Sequence, residues 1–129
     1  MDLTWYNTLN KPFFSPPNWV FGPVWTVLYI LIAISGFVIW RKKTKVKKNK
    51  ALKLFGIQLI LNLIWSPIFF GAHQILLAFI VIIFMLYFIY KTINAFFKID
   101  KTAVYLLYPY LAWVSFATIL NLSVWLLNK

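Results

Sequence analysis

Gln58, Asn62 and Ser66 recur at every fourth position of an otherwise apolar stretch, so their side chains share one face of a helix. Trp65 borders that face, three residues from Asn62. Amides and a hydroxyl can give and take hydrogen bonds, but they are poor acids and bases. Two readings fit the stripe: hydrogen bonds to a neighbouring helix, or the polar wall of a ligand cavity. Other chemistry has little to work with. Asp2 and Asp100 are the only acids, His73 is the only histidine, and cysteine is absent. Paired carboxylates, thiolates and metal-binding clusters cannot be assembled from such a set, so no catalytic residue and no metal ligand is assigned. His73 lies in a short turn between apolar runs and reads as a solvated or capping residue, not as a haem ligand.

Two further apolar stretches carry a related pattern. Gly22, Trp25 and Tyr29 share one helical face with Thr26 beside them, and Tyr110, Trp113, Ala117 and Asn121 share another. Three stretches therefore each present an indole beside small or polar residues. Such residues are often plain core; flat aromatic walls with few polar groups also suit a large, planar, apolar ligand. Trp19, Trp40, Phe69, Phe70, Tyr105, Tyr108 and Trp125 lie near the ends of apolar runs and read as an interfacial belt.

The elements that must position these residues follow from composition. Apolar residues are 63% and charged residues 12% of the 129-residue chain, and mean hydropathy is +0.81. A soluble domain of this size could not cover its surface with that set. Lipid is the solvent that remains. Four runs are long enough to cross it: Trp19–Trp40, about Leu52–Phe70, about Gln74–Tyr90 and about Ala103–Leu127. The first is roughly 33 Å long as a helix. The expectation is an all-α membrane protein, a transmembrane helical bundle of four spans forming one domain over residues 1–129. Residues 1–18 form an outer loop, stiffened by Pro12, Pro16 and Pro17.

The net charge of +11 is a matter of placement. Eight of the 13 Lys and Arg lie between Arg41 and Lys53, and Lys91, Lys98 and Lys101 lie between the third and fourth runs. The positive-inside rule puts both basic segments in the cytoplasm and both termini outside. Topology, assisted by anionic lipid headgroups, accounts for these charges without nucleic acid.

Longer motifs carry a family resemblance. Trp5-Tyr6-x-x-Leu9-x-Lys11-Pro12, Pro16-Pro17, Phe21-Gly22-Pro23-Val24-Trp25-Thr26 and Tyr29 resemble the first loop and second helix of the TspO/MBR family. That family holds the tryptophan-rich sensory proteins and the translocator protein, or peripheral benzodiazepine receptor. Gln58-Leu59-x-Leu61-Asn62-x-x-Trp65-Ser66-Pro67-x-Phe69-Phe70-Gly71 is similar to its third helix. Pro109-Tyr110-Leu111-Ala112-Trp113-Val114-x-Phe116-Ala117-x-x-Leu120-Asn121 is similar to its last. The resemblance runs from Trp5 to the end of the chain. Family members have five transmembrane helices, the first preceding the Trp-Tyr motif. Only Met1–Thr4 stand before it here, so the resemblance leaves three readings: a shortened form, a fragment from an internal start codon, or a four-helix member completed by oligomerisation. Asn121-Leu122-Ser123-Val124-Trp125-Leu126 also departs from the sterol-recognition pattern of animal members, lacking its central tyrosine and following basic residue.

The resemblance implies a membrane-embedded sensor or translocator that binds tetrapyrroles, porphyrin or haem, with no cofactor required. Sterols and isoquinoline- or benzodiazepine-type compounds are further ligand classes, and a homodimer in a bacterial cell membrane is the implied assembly. Light- or oxygen-dependent porphyrin breakdown is one alternative; a porphyrin or sterol carrier is another. Ligand binding is expected at Trp25, Tyr29, Asn62, Trp65, Trp113 and Ala117, converging on one pocket open toward the outer leaflet. Trp5, Tyr6 and Pro12 would belong to a lid over it.

Overall fold

Four long helices account for nearly all of the described residues. The structure, a computed structural model, describes residues 8–11, 13, 15, 18–43 and 45–128. Helix α1 spans Asn18–Trp40, α2 spans Lys45–Ser66, α3 spans Ile75–Phe97 and α4 spans Lys101–Asn128. All four are long and apolar enough to cross a membrane. Large apolar side chains such as Val27, Ile60, Leu63, Phe84 and Ile119 face outward from the bundle. In water they would be an aggregation surface; in lipid they meet their own solvent.

The third and fourth helices extend beyond the apolar runs read from sequence. Helix α3 continues past Tyr90 to Phe97, so Lys91 is a helical residue and the α3–α4 connection shrinks to residues 98–100. Burial explains the extension. Thr92, Ile93 and Phe96 continue the inward stripe of Met85 and Ile89 at three- and four-residue spacing. Asp100 then starts α4, its Oδ1 accepting the Thr102 backbone N–H at 2.7 Å.

Pro67 ends the α-helical ladder of α2, because it has no N–H and its ring crowds the carbonyl one turn earlier. The chain widens into a π-helical turn, Pro67–Gly71, closed by the Ala72 N–H on Pro67 O at 2.8 Å. Phe69 and Phe70, expected at the interface, are instead turned inward and are only 3% and 4% exposed. His73 follows in the left-handed region, φ 58°, and is exposed in the tight turn into α3.

The helices form an open ring. α2 packs most extensively on α3, α3 on α4, and α4 on α1, while α1 and α2 touch only sparsely. A buried hydrogen bond from Ser35 Oγ to Ala103 O, 2.8 Å, fixes α1 against α4. On the sparse side an apolar groove of about 460 Å³ runs between α1 and α2, lined by Tyr29, Gly36, Trp40 and Phe55 among others. A Cβ at Gly36 would stand 2.8 Å from the Phe55 ring, so the close approach of α1 to that ring depends on glycine.

Candidate functional site

The tryptophans meet at the end of the bundle that carries the π-helical turn. α1 brings Phe21 and Trp25, α2 brings Trp65, the turn brings Phe69 and Phe70, and α4 brings Trp113 and Ala117. Trp25 is the hub. Its ring lies 6.5 Å from Trp65 and 6.4 Å from Trp113, tilted on the first and edge-on to the second. Trp65 stacks on Phe69 at 5.2 Å and meets Phe70 edge-on at 5.9 Å. These spacings are those at which aromatic pairs attract beyond simple burial.

Polar groups at this pocket are few. The Trp65 indole N–H donates to Asn121 Oδ1 at 3.1 Å, and Asn121 Nδ2 donates to Ile75 O at 3.1 Å. Trp113 Nε1 is buried and has no hydrogen-bond partner among the described residues. An indole N–H withdrawn from water without an acceptor is unfavourable. It is a donor available to a guest. The cavity between the rings is about 20 Å³, room for about one water, whereas ligand pockets commonly offer about 300–1,000 Å³. The chemistry of the walls fits a flat aromatic ligand. The space does not admit one until the walls part.

Trp25, Trp65, Trp113 and Ala117 thus come together as lining residues, but Tyr29 and Asn62 sit elsewhere. The Tyr29 hydroxyl donates to Asn62 Oδ1 at 2.6 Å, and Asn62 Nδ2 donates to the Tyr110 hydroxyl at 2.7 Å. Tyr110 passes the chain on, donating to Gln58 Oε1 at 2.7 Å. Asn62 therefore spends its amide on two tyrosines. Gln58, 1% exposed, keeps Nε2 without a partner among the described residues. Tyr29, 39% exposed, stacks obliquely on Trp25 at 5.7 Å and borders the α1–α2 groove, connecting the two regions.

Trp5, Tyr6 and Pro12, the expected lid, lie outside the described residues. Asn10, from the same loop, is described and is held by α4. Its N–H donates to Asn128 Oδ1 at 2.9 Å, and Asn128 Nδ2 donates back to Asn10 O at 2.7 Å. Phe21, Phe69, Phe70 and Leu120 also line the pocket, and the reading of the sequence did not place them there. Pro67 was the available signal for the two phenylalanines, since a disrupted ladder re-aims the residues after it. Among the described residues no group of three or more His, Cys, Asp or Glu could hold a metal.

Four apolar helices around a narrow tryptophan-walled pocket define a multi-pass integral membrane protein with an aromatic cleft. The sequence profile of the TspO/MBR family matches residues 1–126, and the chain belongs to that family. It is 42% identical over 128 residues to the tryptophan-rich protein TspO of Chlorobaculum tepidum, covering 96% of this chain and 79% of that one. It is 39% identical over 125 residues to the translocator protein of Homo sapiens, covering 95% and 74%. With the tryptophan-rich sensory protein of Cereibacter sphaeroides it shares 38% identity over 124 residues, covering 96% and 77%.

Proposed function

We propose that this protein binds a tetrapyrrole, porphyrin or haem, between Trp25, Trp65 and Trp113, as a membrane-embedded sensor or translocator. One observation carries the reading: three indoles from three helices meet around a pocket at which Trp113 Nε1 has no acceptor among the described residues. A planar macrocycle offers faces for the indoles and peripheral carbonyl or carboxylate oxygens for that N–H. Binding requires Trp25 to separate from Trp65, since the resting cavity is about 20 Å³. The names of relatives, tryptophan-rich sensory protein and translocator protein, are compatible with sensing or carriage. The membrane is taken to be a bacterial cell membrane, by likeness to bacterial relatives, and the placement of basic residues favours an orientation with both basic segments cytoplasmic. On that orientation the tryptophan pocket faces outward, and impermeant amine reagents added to intact cells should leave Lys43 and Lys98 unlabelled.

The test is a dark, anaerobic protoporphyrin titration of purified protein in nanodiscs, followed by tryptophan fluorescence. Trp25→Phe and Trp113→Phe each weaken binding by about 1 kcal/mol. Trp40→Phe, at a side chain 63% exposed to lipid, leaves affinity unchanged. Ala117→Leu fills the wall beside Trp113 and costs more in binding than in stability. Equal losses at Trp25 and Trp40, or normal binding by Ala117→Leu, would place the ligand elsewhere. Illumination in air then separates binding from breakdown: a binder returns the porphyrin intact, and a catalyst consumes it.

A further inference from the structure

At the end of the bundle opposite the tryptophans, lysines converge with no counter-charge among the described residues that line the site. Lys47 and Lys50 of α2, Lys91 of α3 and Lys98 just beyond its end surround one hollow of about 590 Å³, with Asn94 beside them. α2 and α3 are the most extensively packed pair of helices, so the fold brings these four lysines to the rim of one hollow. Like charges gathered in this way repel. Lys47 and Lys50 also sit in the first two turns of α2, at the positive end of its dipole, where no acidic residue offsets them. Among the described residues no carboxylate lines the hollow. Asp100 is held by Lys42 at 2.6 Å and by the Thr102 N–H, and Asp2 lies outside the described residues.

The hollow is also amphipathic. Leu54 and Ala95 contribute apolar wall between the lysines. On α3, Phe84, Tyr87, Lys91 and Asn94 follow at alternating spacings of three and four and form one stripe, which Lys98 continues at the helix C-cap. The Lys91 ammonium lies over the Tyr87 ring, 5.5 Å from its centroid. Below it a shallow apolar groove of about 320 Å³ follows the lipid-facing surface along Ile83, Phe84, Tyr87 and Phe88. Anionic lipids are held by basic pockets of this kind between helices.

We propose that the hollow is a binding site for an anionic phospholipid. The headgroup phosphate lies among Lys47, Lys50, Lys91 and Lys98, and an acyl chain follows the groove over Tyr87 and Phe84. A phosphate from solution would satisfy the same lysines but has no use for the apolar groove below them.

Native mass spectrometry of the detergent-solubilised full chain tests this, with phosphatidylglycerol and phosphatidylcholine of matched chains as probes. The expected result is one phosphatidylglycerol retained at concentrations where phosphatidylcholine is lost. Lys50→Gln/Lys98→Gln should weaken that retention on the order of tenfold, and Lys43→Gln/Lys53→Gln, with the same change in net charge, should leave it. Tyr87→Ser should weaken lipid retention while leaving any adduct of inorganic phosphate alone. Equal losses in both double variants would reduce the effect to diffuse charge and overturn the proposal. So would equal retention of phosphatidylcholine, or full displacement of the lipid by inorganic phosphate.

Discussion

The Trp65 indole of α2 donates to Asn121 Oδ1 of α4 at 3.1 Å, and the same asparagine reaches Ile75 O at the start of α3. One amide therefore ties three helices together directly beneath the aromatic pocket. Asn121→Ala should lower stability by about 1 kcal/mol, within the span known for interhelical hydrogen bonds in membranes. Ser115→Ala is the comparison, because Ser115 bonds only the Leu111 carbonyl of its own helix. Unfolding in mixed detergent should separate the two; equal midpoints would deny Asn121 its bridging role.

The tyrosine–amide chain gives an asymmetric expectation. Tyr110→Phe strands Asn62 Nδ2 and Gln58 Oε1 in the interior, close to a Gln58 Nε2 that already has no partner among the described residues. Tyr29→Phe strands only Asn62 Oδ1, near the open groove. The first change should destabilise by about 2 kcal/mol and the second by less than about 1 kcal/mol. A reversed order in the same unfolding assay would show that the groove edge, not the interior, holds this chain in place.

Asn128 holds the amino-terminal loop by its backbone at Asn10. Asn128→Ala should therefore free the loop and act on ligand exit more than on entry. Stopped-flow protoporphyrin release from the variant should be several-fold faster than from the parent, with association nearly unchanged. Identical release rates would mean that the loop is not a lid.

Acid should loosen the basic end of the bundle. The hydrogen bond from Lys42 holds the Asp100 carboxyl below its ordinary value, helped by the Thr102 N–H. Folding is thus favoured by ionised Asp100: the contribution is complete above about pH 4 and fades as pH falls through the depressed value. Asp100→Asn should keep the cap on Thr102 and lose the ion pair. Its unfolding midpoint should vary less than the parent's between about pH 5 and pH 2. Parallel pH profiles would remove Asp100 as a source of acid sensitivity.

The four helices were legible because lipid exposure leaves an unmistakable apolar run around each inward face. Their inner ends were less so. Hydropathy falls after Tyr90, yet Thr92, Ile93 and Phe96 remain buried, so periodicity marks the end of α3 where hydropathy does not. The grouping of Trp25, Trp65, Trp113 and Ala117 follows from spacing plus the inward direction of polar faces. Asn62 shows the limit of that reasoning. Spacing puts it inward, but only the ring order of helices decides that it meets Tyr29 and Tyr110 instead of the pocket. Phe69 and Phe70 escaped for another reason, since a π-helical turn breaks the 3.6-residue period that assigns faces.

The sparse contact between α1 and α2 has a mechanical consequence. Helix α1 is hung from α4, with Ser35 on Ala103 as its hinge pin, and carries Phe21 and Trp25 as one leaf of the pocket. On the free side the Tyr29–Asn62 hydrogen bond spans the gap like a latch. A few degrees of swing would draw Trp25 away from Trp65 while leaving α2, α3 and α4 packed as they are. Opening of the pocket would then turn on the angle of a single helix, with the Tyr29–Asn62 hydrogen bond among the contacts that hold it shut.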